Sequence, residues 1–180
     1  MNKILHSILY LVTGVLLTSC IEINGSGYSD LSESEKQHVK KCTSSLGALQ
    51  NDCNLYQVTA KQVKEYIQKE QNVLVYEYLP FCSGGSGRSP IEVKRYCNEK
   101  GLKCVVVASV YDGIFPIPAT NTFPMFVIDH QVYGTDNYQE YGDKFYLELT
   151  GSDEQSRKES TYHLFYNGKY VRSIVSLDDL

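Results

Sequence analysis

The sequence predicts an α/β fold, a three-layer α/β/α sandwich in which helices pack on both faces of a mixed β-sheet. Strand-like runs at 55–58, 72–78 and 103–110 alternate with two stretches of helical periodicity, which is the order of two β-α-β units. The second and third runs are apolar almost throughout, as expected for strands buried on both faces of a parallel sheet. Asn167-Gly168 lies between two further strand-like runs and predicts a terminal antiparallel hairpin with a type I′ turn.

Capping signals place the two helices of these units. Thr-Ala-Lys-Gln at 59–62 is a capping-box pattern, and the amphipathic stretch that follows it reaches about Glu70. Ser-Pro-Ile-Glu at 89–92 is a second capping-box pattern, with Pro90 at the first helical position, where proline is favoured. Gly101 is placed to cap the end of this second helix.

The flanking segments add elements to this core. A helix is predicted over residues 30–49, and residues 31–53 are predicted to form an N-terminal helical extension of the domain. Residues 112–122 contain one glycine and two prolines and are predicted to form a loop. A strand is predicted over 123–128, and a helix over 136–151.

The first twenty residues have the pattern of an export signal. A positively charged start precedes the apolar segment 4–17, which is too short to span a bilayer as a helix. Leu17-Thr18-Ser19-Cys20 resembles a bacterial lipobox, whose cysteine is lipidated before the signal peptide, here residues 1–19, is removed. The resemblance implies anchoring to a membrane of the bacterial cell envelope through lipid on Cys20, with residues 20–30 as a flexible tether. The alternative is an ordinary secretory signal in which the cysteine occurs by chance.

Composition argues against several other classes of protein. The formal net charge is −4 and there is no basic run, so the clustered Lys and Arg of a nucleic-acid-binding surface are missing. The histidines have no metal-ligand spacing to a second His or Cys; they are His6, His38, His130 and His163. The sequence therefore predicts no nucleic-acid partner, no metal site and no cofactor.

The cysteines of an exported chain indicate disulfide chemistry, because disulfides persist outside the cytoplasm. The chain has six cysteines, so five remain when Cys20 carries lipid, and at least one stays unpaired within the chain. Cys42–Cys53 and Cys97–Cys104 are the candidate disulfides, and closing a loop of this size stabilises by about 3 kcal/mol. Both pairs could also be buried, reduced thiols. Cys82 is the remaining cysteine.

Cys82 lies in a glycine- and serine-rich loop between a predicted strand and a predicted helix. It is eight residues before Pro90, as the first active-site cysteine of thioredoxins precedes the proline that kinks their second helix. Leu164-Phe165-Tyr166-Asn167-Gly168-Lys169 resembles the Leu-Phe-Lys-Asn-Gly-Glu hairpin of that family. Together with the order of elements, these features make residues 54–175 resemble the thioredoxin-like superfamily.

The resemblance implies a thioredoxin-like domain over residues 54–180, enlarged by an insertion at about 113–159. It also implies that Cys82 is the candidate nucleophile. The active-site loop around it would contain Ser83, Gly84, Gly85 and Pro90.

The chain departs from the family pattern at two positions. Gly85 stands where the second cysteine of Cys-X-X-Cys would be, so a mixed disulfide at Cys82 has no local thiol to resolve it. Cys97 is too far along the following helix to replace that cysteine. Counted back from the hairpin, the family's cis-proline position is Ser160, whose peptide bond is expected to be trans. Pro124 is the alternative for this position.

The sequence leaves three functions open for Cys82. In the first, a tethered monothiol redox protein reacts with a protein thiol or disulfide, helped by a helix start at residues 84–86 or by Arg88. In the second, the module has lost oxidoreductase activity and is a binding or scaffold lipoprotein. Tyrosines between residues 133 and 146 would then form a contact face, with core packing as the alternative for them. In the third, Cys82 is an inert apolar side chain.

Overall fold

A mixed sheet of seven strands forms the centre of the computed structural model, which describes residues 27–82, 85–152 and 160–180. The strands are β1 (Val39–Lys41), β2 (Leu55–Val58), β3 (Asn72–Tyr78), β4 (Lys103–Ala108), β5 (Met125–Ile128), β6 (Tyr162–Tyr166) and β7 (Lys169–Ile174). The α-helices in the described ranges are α1 (Glu33–Lys36), α2 (Ala60–Ile67), α3 (Pro90–Glu99), α4 (Pro116–Thr120), α5 (His130–Tyr133) and α6 (Tyr138–Thr150). The predicted α/β class is confirmed.

The first five strands run parallel, and the last two form an antiparallel hairpin. The order across the sheet is β1-β2-β5-β4-β3-β6-β7, and β3 pairs with parallel β4 on one side and antiparallel β6 on the other. The parallel strands therefore all end at one edge of the sheet, which we call the carboxyl edge. The opposite edge, where they begin, is the amino edge. Strand β6 starts at the carboxyl edge, because Tyr162 pairs with Tyr76 near the end of β3.

Helices cover both faces of the sheet and bury a core on each. Side chains alternate between the faces along a strand, so Tyr76 of β3 packs with α3 while Val75 packs with α2 and α6. On the α3 face, Leu31 and Leu177 complete the core from the two ends of the described chain. Helices therefore pack on both faces of the sheet: α3 and Ile117 of α4 on one face, and α2 and α6 on the other.

The segment predicted as an insertion, residues 113–159, supplies a central strand. Strand β5 lies between β2 and β4, with Leu55 paired to Met125 and Val107 paired to Phe126. All four residues of β5 are buried, as expected for a strand with helices on both faces. The segment is thus part of the sheet and not a peripheral addition.

The helix predicted over residues 30–49 is wrong beyond its first turn. Ser32 and Glu35 form a capping box that starts α1, but the helix ends at Lys36. Residues 43–45, Thr-Ser-Ser, offer side-chain hydrogen bonds that compete with a helical backbone.

The N-terminal extension joins the sheet through β1. This strand pairs in parallel with β2, and the amide of Cys42 donates to the carbonyl of Gln57 at 3.0 Å. The β-branched side chain of Val39 favours an extended backbone. The prediction of a helical extension over residues 31–53 is therefore wrong, because this segment contributes an edge strand.

The boundary of the predicted tether at residue 30 is also wrong. Gly27 is buried, and Tyr28–Asp30 form a 3₁₀ turn that packs on the domain. The predicted signal peptide, Cys20 and residues 21–26 lie outside the described residues. Within the described ranges, no helix has the length and apolar character needed to span a bilayer.

Several local signals are confirmed. The hydroxyl of Thr59 accepts from the amide of Gln62 at 3.2 Å, and the Gln62 side chain accepts from the Thr59 amide at 2.9 Å. Gly101 follows α3 with a φ of 68°, as its predicted capping position requires. Asn167 and Gly168 have φ values of 47° and 77° and join β6 to β7 as predicted.

The capping box predicted at residues 89–92 is wrong. Pro90 is the first residue of α3, as predicted, but the Ser89 side chain makes no hydrogen bond to the helix. The predicted helix at 136–151 is confirmed as α6. The predicted loop at 112–122 contains the short helix α4.

Candidate functional site

The loop that carries Cys82 extends from the carboxyl edge of β3. This Cys82 loop covers residues 79–88, of which Ser83-Gly84 lie outside the described residues. The amide of Leu79 donates to the carbonyl of Ser86 at 2.8 Å, and the amide of Cys82 donates to the carbonyl of Leu79 at 3.0 Å. Cys82 is a partly buried, free cysteine, and no described residue forms a hydrogen bond or ion pair with its thiol.

Two glycines fix the path of this loop by close backbone approach. A Cβ added at Gly87 would lie 1.5 Å from the carbonyl oxygen of Cys82, so no other residue fits there. A Cβ added at Gly85 would lie 2.7 Å from the carbonyl oxygen of Val175. The position where the family's second cysteine would stand is therefore too close to the end of the hairpin for a side chain.

Two stacked tyrosines of the sheet hold the loop through hydrogen bonds to its carbonyl groups. The rings of Tyr76 and Tyr162 have centroids 5.0 Å apart and an interplanar angle of 15°. The Tyr162 hydroxyl donates to the carbonyl of Gly85 at 2.8 Å. The Tyr76 hydroxyl lies 2.6 Å from the carbonyl oxygen of Arg88 and 2.9 Å from that of Ser86.

Burial keeps both tyrosine hydroxyls protonated and able to donate. It raises the pKa of Tyr162 to about 12, and it raises the pKa of Tyr76 further above the ordinary tyrosine range. We call Tyr76 and Tyr162 the tyrosine pair. Sequence reasoning missed the pair, because its members are far apart in the chain and meet only through the pairing of β3 with β6.

The helix start predicted at residues 84–86 is a short 3₁₀ turn in the described part of the loop, and Gly84 lies outside the described residues. This turn covers Gly85–Gly87, and α3 begins only at Pro90, without a side-chain cap from Ser89. The carbonyl groups of Gly85 and Ser86 turn inward to the tyrosine pair. Arg88 is exposed, and none of its described contacts reaches the Cys82 thiol.

Cys97 and Cys104 form a buried pair at the other end of the sheet. The Cys97 side chain, on α3, makes a hydrogen bond with that of Cys104 at the start of β4; this bond and burial raise the pKa of Cys97. Cys104 pairs with Leu74, eight residues before Cys82. The two thiols therefore lie near the amino edge and cannot resolve a disulfide at Cys82. Both are free in the structure, so their disulfide stays a prediction.

Cys42 and Cys53 are also free thiols in the structure. Cys42 is buried and donates to the carbonyl of Ser44 at 3.2 Å, and burial raises the pKa of its thiol. Cys53 is exposed and comes two residues before β2, at the amino edge. Their pairing likewise stays a prediction.

The two candidates for the cis-proline position lie at opposite edges of the sheet. Ser160 is buried just before β6, beside the carboxyl end of β3, where the amide of Glu77 donates to the carbonyl of Thr161 at 2.9 Å. Pro124 comes just before β5, at the amino edge, so it cannot face Cys82 and the alternative is wrong. No peptide bond between described residues is cis. The bond that precedes Ser160 involves residue 159, which lies outside the described residues, so its trans geometry stays a prediction.

A pocket beside the Cys82 loop was not predicted. It has a volume of about 410 Å³, and its lining includes Glu77, Leu79, Tyr138 and Tyr146. The ring of Phe81, next to Cys82, meets Tyr138 edge-on with centroids 6.4 Å apart. The lining comes from β3, the Cys82 loop and α6, so no local sequence signal could reveal the pocket.

The aromatic contact face predicted between residues 133 and 146 is largely core. Tyr141 and Tyr146 are buried against the sheet, so core packing, the alternative, is confirmed for both. Tyr138 is partly exposed and lines the pocket beside the Cys82 loop.

Neither a metal-binding cluster among the described residues nor a similar protein assigns a function to the chain. In the part of the chain that the structure describes, no group of three or more His, Cys, Asp and Glu side chains could hold a metal ion. Comparisons of the chain with protein-family models, with curated proteins and with solved structures each found no match.

Proposed function

We propose that this chain is a membrane-tethered, thioredoxin-like lipoprotein of the bacterial cell envelope that exchanges disulfides through the single thiol of Cys82. The observation that carries the proposal is the position of Cys82, a partly buried residue at the carboxyl edge of β3 whose amide donates to the carbonyl of Leu79. The order β2-α2-β3-α3-β4, followed by the β6-β7 hairpin, agrees with the resemblance. Strand β5 is additional to that order. The lipobox supports the membrane anchor.

The chemistry is a single thiol–disulfide exchange. The thiolate of Cys82 attacks one sulfur of a partner disulfide, and a new S–S bond forms between Cys82 and that sulfur. The partner's S–S bond breaks, and its second sulfur leaves as a thiolate that takes a proton from water. The partner disulfide is the oxidant. Because Cys97 and Cys104 lie near the amino edge, a thiol from another molecule must resolve the mixed disulfide.

A non-catalytic binding or scaffold lipoprotein is the second candidate. It is favoured by the surroundings of the sulfur, because α3 begins eight residues after Cys82 and the carbonyls of Gly85 and Ser86 face the tyrosine pair. Among the described residues, neither Arg88 nor the start of α3 makes a hydrogen bond or ion pair with the Cys82 thiol.

Exchange turnover with a small thiol separates these two candidates. The full-length protein in detergent is mixed with a glutathionylated peptide and excess glutathione, and release of the peptide thiol is followed over time. We expect release faster than the uncatalysed exchange, because Cys82 accepts the glutathionyl group and glutathione then resolves it. Cys82→Ser should return the rate to the uncatalysed level.

Cys53→Ser is the matched control, because Cys53 is the exposed thiol at the amino edge. It should leave turnover unchanged. A wild-type rate equal to the uncatalysed one, or full activity in Cys82→Ser, would exclude the redox function and leave the binding lipoprotein.

A further inference from the structure

Residues 27–31, which we call the N-terminal strap, are fastened to the carboxyl edge. The ring of Tyr28 stacks on His130, with centroids 5.4 Å apart, and meets Tyr111 edge-on at 5.9 Å. His130 follows β5, and Tyr111 follows β4. Leu31 is buried in the core on the α3 face. The strap therefore packs where the two central parallel strands end.

Asp136 clamps this strap. Its carboxylate accepts from the amides of Tyr28 at 3.1 Å and Ser29 at 3.2 Å, and also from the Ser29 hydroxyl. Partial burial raises the pKa of Asp136, but the hydrogen bonds from Ser29 and Tyr28 outweigh it and keep that pKa below the usual value. The carboxylate therefore stays charged and bonded at neutral pH.

Two routes of contact connect the strap to the Cys82 loop. Tyr138, two residues after Asp136, meets Phe81 edge-on, and Phe81 precedes Cys82. The second route starts at Tyr111, which contacts Tyr28 of the strap. Gly113, two residues after Tyr111, lies against the Cys82 loop, since a Cβ added there would be 3.7 Å from the Pro80 Cβ. Strands β3 and β5 are separated only by β4, which places their ends about 10 Å apart.

The chain between the lipid and the strap is short. From Cys20 to Gly27 there are seven residues, and a chain of that length spans at most about 25 Å when fully extended. The amino edge lies ~20 Å from the carboxyl edge to which the strap is fastened, because β3 is seven residues long. The strap therefore limits how far the carboxyl edge can move from a bilayer to which Cys20 is anchored.

We propose that the carboxyl edge of the sheet faces the membrane, and that the partner of Cys82 is a protein embedded in or bound to that same membrane. This inference rests on the proposed function, since it needs the lipid on Cys20. The partner must present its reactive sulfur within the reach of the strap, close to the bilayer surface. A freely diffusing envelope protein is the partner class that this geometry disfavours.

Labelling from the bilayer surface tests this orientation. The reduced, full-length lipidated protein is placed in vesicles whose lipids carry a maleimide on the headgroup, and labelled cysteines are mapped by mass spectrometry. Cys53 at the amino edge is the internal reference. On vesicles, we expect the ratio of Cys82 to Cys53 labelling to be at least about tenfold higher than the same ratio with soluble maleimide. The reason is that the effective concentration of lipid-bound maleimide is higher at the carboxyl edge than at the amino edge.

Two variants check the cause of that ratio. Asp136→Ala releases the strap, and an insertion of about 20 Gly/Ser residues between Asn24 and Gly25 lengthens the chain by about 25 Å without touching the described domain. Both should reduce the ratio towards the soluble value. A Cys82-to-Cys53 labelling ratio on vesicles equal to the ratio with soluble maleimide, in a protein whose Cys20 carries lipid, would overturn the orientation and leave the exchange function intact. An unlipidated Cys20 would overturn both the anchor and the orientation.

Discussion

Replacement of Tyr76 by alanine is expected to lower the free energy of unfolding by about 3–5 kcal/mol, because the ring is fully buried and its loss leaves a cavity. The substitution also removes the stack on Tyr162 and the hydroxyl beneath the Cys82 loop. Equilibrium unfolding in urea, followed by far-UV circular dichroism, measures the loss.

Tyr76→Phe separates the hydroxyl from the ring. It keeps the packing but removes the donor that serves the loop carbonyls, so we expect a loss of about 1–3 kcal/mol and a changed rate of alkylation at Cys82. Tyr166→Phe is the matched control, because Tyr166 lies on β6 with 52% of its surface exposed. If Tyr76→Ala and Tyr76→Phe are both as stable as the wild type, the tyrosine pair does not hold the loop.

Gly87→Ala should be the most damaging change within the Cys82 loop itself. The new Cβ would lie 1.5 Å from the carbonyl oxygen of Cys82. The backbone fixes the positions of both atoms, so no side-chain rotation can relieve the contact. We expect a loss of about 3 kcal/mol or more, at the upper end of the range for overpacking. The main chain of Cys82 must shift, and its alkylation rate should change with it.

Gly101→Ala is the control for backbone strain alone. Gly101 has a φ of 68° and nothing within 4 Å of an added Cβ, so its replacement costs about 1–2 kcal/mol through the left-handed conformation. It should not alter the reactivity of Cys82, because it lies after α3 at the amino edge. A Gly87→Ala protein with wild-type stability and wild-type reactivity would mean that the Cys82 loop is not held as described.

The elements that could be predicted from the sequence are those specified by a pattern of a few consecutive residues. The Asn167-Gly168 turn and the Thr59–Gln62 capping box are examples, and both are confirmed. Strand β1 could not be predicted, because its three residues are an edge strand with polar neighbours and Val39 and Cys42 imitate helical spacing. The central position of β5 is set by pairing with β2 and β4, which no local pattern encodes.

The candidate site was predicted in place but not in detail. The run of β3 into a cysteine loop, with Pro90 starting the next helix, could be predicted from local pattern. The support of the loop by Tyr162 and the contact of Gly85 with Val175 could not, because both depend on the hairpin returning antiparallel to β3. The contact with Val175 leaves no room for a side chain at Gly85.

The central claim is that Cys82 is a single exchange thiol without an internal resolving partner. Its most direct test is a single turnover of the reduced, full-length protein with a peptide disulfide and no added thiol, followed by peptide mapping in the mass spectrometer. The proposed function predicts an adduct at Cys82 that persists until a small thiol is added, because Cys97 and Cys104 lie near the amino edge. An unmodified Cys82 beside a modified Cys53, or spontaneous loss of the adduct through an internal disulfide to Cys82, would contradict the claim.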